Sequence, residues 1–314
     1  MERRFQIRSG KRKKIISFEN HFNGPLASGV YFFLRPFGVI PFIFIDFYDI
    51  IPAMNICLFH QDELGRPLNI RDSRAEHIIK ILHKKEGDSF SAGIIGGMAG
   101  IATIKSLDVH EAKSSDGRKS FMEGSMTFSF EPKTDGKPLY PLIMVIGFPR
   151  PIQLKRLLRD MAGLGVSQVH LCSTELGEKS YLKSELATTD AGFQMLLEGT
   201  EQAAGTHVPE LFIHGSLDDC LSEIKKSFES FKGYALDNIN PAGNLWSELM
   251  ENPPSKDSVT VAAIGAERGW TDSERRLLEG SGFIRLGMGK RVLRTETAST
   301  VAASLILGAM GVLD

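Results

Sequence analysis

Residues 259–274 read VTVAAIGAERGWTDSE, and this stretch decides the fold. Positions 259–264 form an apolar run of strand length. Gly265 and Gly269 bracket the loop that follows. Thr271-x-x-Glu274 is a capping box, in which the threonine hydroxyl and the glutamate carboxylate satisfy backbone N–H groups that have no partner in the first helical turn, so a helix begins there. Strand, glycine loop and helix N-terminus form the turn of an α/β unit. Such a turn can hold a nucleotide-like ligand, because free N–H groups point into the loop and glycine permits close approach. It is also the shape of an ordinary turn that binds nothing.

Working outward, strands alternate with helices over residues 142–314, which argues for an α/β domain. Strands are expected at 142–146, 166–172, 209–213, 234–237 and 283–286, and helices at 151–164, 192–204, 217–231 and about 296–310. A second loop follows the last strand and reads MGKRVLRTETA from Met288 to Ala298. It is not a P-loop, because Gly289-Lys290 is followed by Arg291. It is not a dinucleotide fingerprint, because Gly287-x-Gly289 lacks the third glycine. Lys290, Arg291 and Arg294 cluster near Glu296. Planar guanidinium groups match phosphate and carboxylate geometry, which points to a ligand or RNA site. The plainer reading is a solvated loop with a structural Arg294–Glu296 pair. The final helix is rich in Ala, Ser, Thr and Gly, and its apolar run is too short to span a bilayer. It reads as a tightly buried helix at the core or at a subunit interface.

Upstream the pattern differs. A short strand is expected at 55–59 and a helix at 73–84, with Asp72 or Ser73 as N-cap. Residues 86–131 read as glycine-punctuated β structure with a hairpin turn at Asp116-Gly117. This gives a small, mostly β domain over 54–131 and a turn-rich linker over 132–141. Residues 1–53 stand apart: a basic segment from Met1 to Lys14 precedes an apolar stretch interrupted by Arg35, Pro36, Pro41, Asp46 and Asp49. That stretch is a poor membrane anchor. A translation start at Met54 is the plainer explanation.

The chain has 314 residues, 42% hydrophobic and 24% charged, which excludes collagen-like and disordered classes and leaves room for two domains. A net charge of −1 means that any nucleic-acid partner is met by a local basic patch. Cys57, Cys172 and Cys220 form no CxxC pair, and no HExxH occurs, so no metal site is read from the sequence. Sparse cysteine fits a reducing, cytoplasmic compartment.

The two loops, in this order, resemble the 16S ribosomal RNA uracil-N3-methyltransferase family, of the SPOUT class. The run Arg291-Val292-Leu293-Arg294-Thr295-Glu296-Thr297-Ala298 carries most of the likeness. Leu164-Gly165-Val166, Glu201-Gln202 with Val208-Pro209-Glu210, and His77-Ile78 with Ile81-Leu82 and Glu86-Gly87-Asp88 extend it from Met54 to the C-terminus. The resemblance implies a small PUA-like β-barrel that binds RNA and an α/β methyltransferase domain whose end threads a deep trefoil knot. It also implies a cytoplasmic homodimer through the C-terminal domain, with no membrane partner.

S-adenosylmethionine is then the implied cofactor, held by Ile264, Gly265, Glu267 and Gly269 of the first loop and by Met288, Gly289, Val292, Leu293 and Ala298 of the second. The substrate is 16S rRNA of the small ribosomal subunit. Arg294 and Arg291 would stabilise negative charge on the uracil, and Glu296 would orient an arginine or accept a proton. Phosphate contacts fall to Arg71, Arg74, Lys80, Lys84, Arg156 and Arg159. Two departures stand in the first loop: Ala266 replaces a usual proline and Arg268 a usual glycine. Arg268, together with Gly205 and His207 where the family usually carries an arginine near Glu201-Gln202, motivates the alternative of an RNA-binding or ribosome-assembly protein without methyl transfer; a SPOUT enzyme acting on another RNA is a further alternative.

Overall fold

The computed structural model describes residues 31–35, 38–42, 56–113 and 120–313. Residues 1–52 and 53–314 are separate compact units. In the first, strands β1 (Tyr31–Arg35) and β2 (Gly38–Phe42) pair as an antiparallel ribbon. The basic segment from Met1 to Lys14, the Met54 start and the Asp116-Gly117 turn lie outside the described residues. Among the described residues no helix is long and apolar enough to cross a membrane.

The second unit opens with a five-stranded sheet. It contains β3 (Cys57–Phe59), β4 (Leu68–Asn69), β5 (Ser89–Ile94), β6 (Ala99–Lys113) and β7 (Ser120–Thr134), in the order β3-β5-β6-β7-β4. Helix α1 (Ser73–Glu76) is capped by Asp72, whose carboxylate accepts the Arg74 N–H, and continues into a wider π-helical turn over His77–Ile81. It stops short of Lys84 because His83 takes a left-handed conformation, φ +51°, which no helix continues through. Ile78, Phe59, Phe90 and Phe128 fill the core between helix and sheet. β7 runs on to Thr134, so the expected turn-rich segment is shorter than its prolines imply.

A seven-stranded, all-parallel sheet follows. It comprises β8 (Tyr140–Gly147), β9 (Val166–Cys172), β10 (Glu210–His214), β11 (Lys232–Leu236), β12 (Gly243–Asn244), β13 (Thr260–Ile264) and β14 (Phe283–Gly287), in the order β10-β9-β8-β13-β11-β14-β12. Leu142, Met144 and Ile146 face one apolar cluster while Ile143 and Val145 face the other. That two-sided burial is what helices on both faces of a parallel sheet require. Helices α2 (Pro151–Leu164), α3 (Glu185–Thr188), α4 (Ala191–Gln202), α6 (Leu245–Glu251) and α8 (Thr295–Ala309) serve the first cluster. Helices α5 (Leu217–Ser227) and α7 (Asp272–Gly280) serve the second. The capping box forms as read: Thr271 Oγ1 accepts the Glu274 N–H at 3.2 Å, and Glu274 Oε2 accepts the Thr271 N–H at 2.9 Å. Sequence reading misses α6, a short helix whose Asn244 cap lies inside a two-residue strand.

The two sheets are joined through residues 201–206. Glu201 Oε1 accepts the Leu58 N–H at 3.3 Å, Thr206 Oγ1 donates to Gly97 O at 2.6 Å, and Gly96 N–H donates to Thr206 O at 2.8 Å. Burial raises the Glu201 carboxyl above its ordinary range, although the Leu58 N–H opposes it.

Arg74 organises the small sheet's helix. Its guanidinium donates to Glu63, to Asp72 and to Leu58 O, and lies 4.8 Å over the Phe59 ring. The Arg74 hydrogen bonds hold the Glu63 and Asp72 carboxyls below their usual range. Losing one partner of a buried pair costs about 3–5 kcal/mol. The partial exposure here reduces the expectation for Arg74→Ala to about 2 kcal/mol, against about 0–1 for Lys80→Ala in the exposed Lys80–Glu76 pair. Both depressed acids stabilise the fold fully above their unfolded values near pH 4, and lose that contribution as pH falls through their folded values. Urea denaturation at pH 7 and pH 3 should therefore show the gap between Arg74→Ala and wild type closing in acid; a gap of equal size at both would contradict this assignment.

Candidate functional site

In a parallel sheet the carboxyl ends of all strands lie on one edge, and ligands bind in the crevices there. On this edge a cavity of about 680 Å³ opens between the loops after β11, β13 and β14. Leu236, Asp237 and Ile239 come from the first loop, Ile264 to Gly269 from the second, and Met288 to Ala298 from the third, with Arg150 and Gln153 from the start of α2.

The loop after β13 is closed by the Gly269 N–H donating to Ala266 O at 2.8 Å, with Gly269 at φ +71°. This left-handed residue is glycine, whereas Arg268 is outside that region. The Arg268 substitution is therefore compatible with the turn, and its side chain is exposed. Behind the loop, a side chain on Gly147 would meet Ala266 N at 2.3 Å, so the end of β8 and the loop need glycine to approach this closely.

Polar ties fix the loops to one another. Thr295 Oγ1 donates to the carbonyl of Gly265 at 3.2 Å, in a buried setting. Trp270 is 2% exposed and its indole Nε1 donates to Leu236 O at 3.1 Å. The backbone N–H of Arg150 donates to Glu267 Oε1 at 3.2 Å. Trp270 and Thr295 lie within the two quoted loops, but their ties, like the Asp237 loop, emerge only when the strand ends are placed side by side.

The site's charges divide into spent and unspent groups. Asp237, with a side chain 1% exposed, accepts from Arg275 at 2.7 Å, from Arg285 at 3.1 Å and from the Ile239 N–H at 3.1 Å. Burial works to raise its carboxyl, but those donors bring it below the ordinary range. It is therefore a poor proton acceptor. Arg291 and Arg294 are exposed into the cavity, and among the described residues neither pairs with a carboxylate. The structural Arg294–Glu296 pair does not form. Glu296, half-buried in the first turn of α8, is also without a cationic partner.

All nine expected cofactor residues line this cavity, as do Arg291, Arg294 and Glu296. Val292 does so at the rim, 79% exposed. The expected RNA residues are not brought together in the same way. Arg74 is corrected from an RNA contact to a structural residue, since its donors are used within the chain. Arg159 ties α2 to α4 through Glu198, at 2.6 Å from Nε. Lys80 pairs with Glu76 and Arg71 with Glu123, both on the surface, whereas Arg156 is exposed and Lys84 half-buried.

Residues 136–307 match the family described as an RNA methyltransferase domain. The ribosomal RNA small subunit methyltransferase E of Treponema pallidum is 39% identical over 260 residues, covering 81% of this chain and 91% of that protein. The ribosomal RNA small subunit methyltransferase E 1 of Borreliella burgdorferi is 32% identical over 254 residues, covering 81% and 97%. A crystal structure of a ribosomal RNA small subunit methyltransferase E from Neisseria gonorrhoeae bound to S-adenosyl methionine has the same fold. Its TM-score is 0.60 at 19% identity, over 81% of this chain and 97% of that one.

The Thr295–Gly265 bond is the tie most open to test. Thr295→Val keeps the shape and strands a buried carbonyl, an expected loss of about 1–3 kcal/mol in chemical denaturation. Thr295→Ser retains the donor and should recover most of that loss. Equal stability of the valine variant and wild type would show that the bond does not hold the loops.

Proposed function

The chain belongs to the RNA methyltransferase family, and from that premise we propose that it transfers a methyl group from S-adenosylmethionine to N3 of a uridine in the 16S rRNA of the small ribosomal subunit. The observation that carries this reading is the pair of guanidinium groups, Arg291 and Arg294, that line the cavity without a carboxylate partner among the described residues. The cavity suits the cofactor. Ile264, Met288, Leu293 and Ala298 offer an apolar wall for a flat ring, and the backbone of Gly265, Glu267, Gly269 and Gly289 offers polar edges. Gly289 sits at φ +102° with open space where a side chain would stand.

When bound, the cofactor supplies a methyl group already activated on a sulfonium, so positioning carries much of the catalysis. The residues of the chain must deal with the uridine. Its N3 carries a proton and is a poor nucleophile until that proton leaves. Arg294 and Arg291 stabilise the negative charge that develops on the uracil oxygens, and they do so without first breaking an internal ion pair. Glu296 accepts the N3 proton. Of the cavity's other carboxylates, Asp237 is held by two arginines and Glu267 by the Arg150 N–H.

The same reading assigns residues 54–131 to a PUA-like RNA-binding domain, supported by the five-stranded sheet and its covering helix, whose β7 extends to Thr134 and shortens the linker expected over 132–141. It assigns 142–314 to a knotted SPOUT domain, supported by the packing of α8 against β8 and β13 after the loop that closes the cavity. Homodimerisation through the C-terminal domain is supported by a groove in which exposed Trp246 and Met250 flank Leu305 and Gly308 of α8. Arg71, Lys80, Lys84 and Arg156 are the surface charges for RNA phosphates, and a cytoplasmic location follows from the substrate. Residues 1–53 lie outside the catalytic assignment.

Labelled S-adenosylmethionine and unmodified small ribosomal subunits, followed by nucleoside mass spectrometry, should give N3-methyluridine at one site. Arg294→Ala should lower transfer by about 10²-fold or more while the sedimentation behaviour stays that of wild type. Full activity in that variant would remove Arg294 from the mechanism. RNA binding without cofactor binding would instead mark a protein that keeps the fold and not the chemistry.

A further inference from the structure

Two strands away from the methyl-transfer cavity, on the sheet face covered by α5, four soft side chains converge. His170 and Cys172 project from one face of β9, as residues i and i+2 of a strand must. His214 ends the neighbouring strand β10, opposite Cys172 in the register, and Cys220 lies in α5. All four are buried. One ligand atom each from His170, His214 and Cys220 lie within 4.8 Å of one another. Cys172, next on the same face of β9, donates its thiol to Ile146 O at 3.8 Å.

The hydrogen bonds around the two histidines decide what the cluster is built for. The Gln168 amide donates from Nε2 to Glu210 at 2.8 Å, which turns its oxygen toward His170. That oxygen lies 3.2 Å from His170 Nε2, so the ring carries its proton there. On the other side, the Glu223 carboxylate lies 3.7 Å from His214 Nδ1. The inner nitrogens, His170 Nδ1 and His214 Nε2, face each other at 2.9 Å, so one proton between them bridges the two rings. A metal ion that displaces this proton would meet an imidazole lone pair from each ring. A histidine whose outer N–H is held by a carboxylate or amide oxygen is also the form that presents its inner nitrogen to a metal.

We propose that His170, Cys172, His214 and Cys220 form a structural site for a soft divalent cation of the zinc class. Two thiolates and two neutral imidazoles suit tetrahedral zinc, whose bonds of about 2.0–2.3 Å place donors roughly 3.3–3.8 Å apart. The two imidazole nitrogens, now 2.9 Å apart, need only separate slightly to reach that spacing, and the Cys220 sulfur lies within 4.8 Å of both. Two thiolates also neutralise the ion's charge, which a buried site requires. The site would pin the carboxyl ends of β9 and β10 to α5. Cys172 O already accepts the Phe148 N–H at 2.9 Å, next to the Gly147 that backs the cavity loop.

The test uses the full chain. Protein purified from zinc-supplemented cells should retain about one zinc per chain by elemental analysis after gel filtration. Chelator-stripped protein titrated with cobalt(II) should develop a thiolate-to-cobalt charge-transfer band and the strong visible bands of a tetrahedral ion, saturating at about one equivalent. Cys220→Ser and His170→Gln should each lower metal retention at least tenfold. The cobalt titration needs no variant, so it decides the question even if the variants fold poorly. A stripped chain that gives no charge-transfer band, or variants that retain metal at the wild-type level, would overturn the site.

Discussion

The buried carbonyl of Gly265 is the constraint around which the cavity is arranged. It ends a central strand of a parallel sheet, where a backbone acceptor has neither a ladder partner nor water, and leaving it unpaired is costly. Thr295 satisfies it from the first residue of α8. That single bond requires the chain after β14 to return across the sheet's carboxyl edge, and it carries residues 288–294 back over the cavity as it does so. Trp270 applies the same logic one strand over, pairing the last carbonyl of β11. The loops are thus positioned by the need to satisfy strand-end carbonyls, and the cavity is the space that this leaves between them.

Electrostatics then distinguish scaffold from chemistry. Arg275 and Arg285 converge on Asp237 and are neutralised there. Arg291 and Arg294, a few residues further along the chain, have no such partner among the described residues. An arginine that spends its charge internally has less to offer a developing anion, since each new bond must replace an old one. Cationic function therefore belongs to the arginines that the fold leaves alone. The same test, applied to the small sheet, converts Arg74 from an RNA contact to a structural residue.

The α/β architecture was legible because its signals are local. Strand-length apolar runs, the Thr271–Glu274 capping box and the helical stripe of α2 each predict an element from a few neighbouring residues, and each forms. The two loops were legible as loops, and their residues do line one cavity. What was not legible depends on strands that are distant in sequence. Asp237 reads as an ordinary residue at a strand end until β14 brings Arg285 beside it. His170, Cys172, His214 and Cys220 match no metal-binding spacing, because two adjacent parallel strands and a helix assemble them in space. Helix ends were misjudged for a third reason: at His83 a left-handed residue stops a helix that the apolar pattern alone would continue.

The departures in the first loop show where this chain can differ from its relatives without losing the site. The turn needs a left-handed residue at Gly269 and close backbone approach at Gly147 and Gly265, and all three are glycine. Ala266 and Arg268 fall between these constraints. Ala266 is buried and small, and Arg268 is exposed at the cavity's edge. Where backbone groups make the binding surface, side chains facing away from the backbone's hydrogen bonds are free to change. Arg268 adds a positive charge to the mouth of a cavity whose wall already carries two unpaired arginines. A change in that position alters what approaches the cavity more readily than what sits within it, so divergence here bears on RNA recognition before it bears on the cofactor.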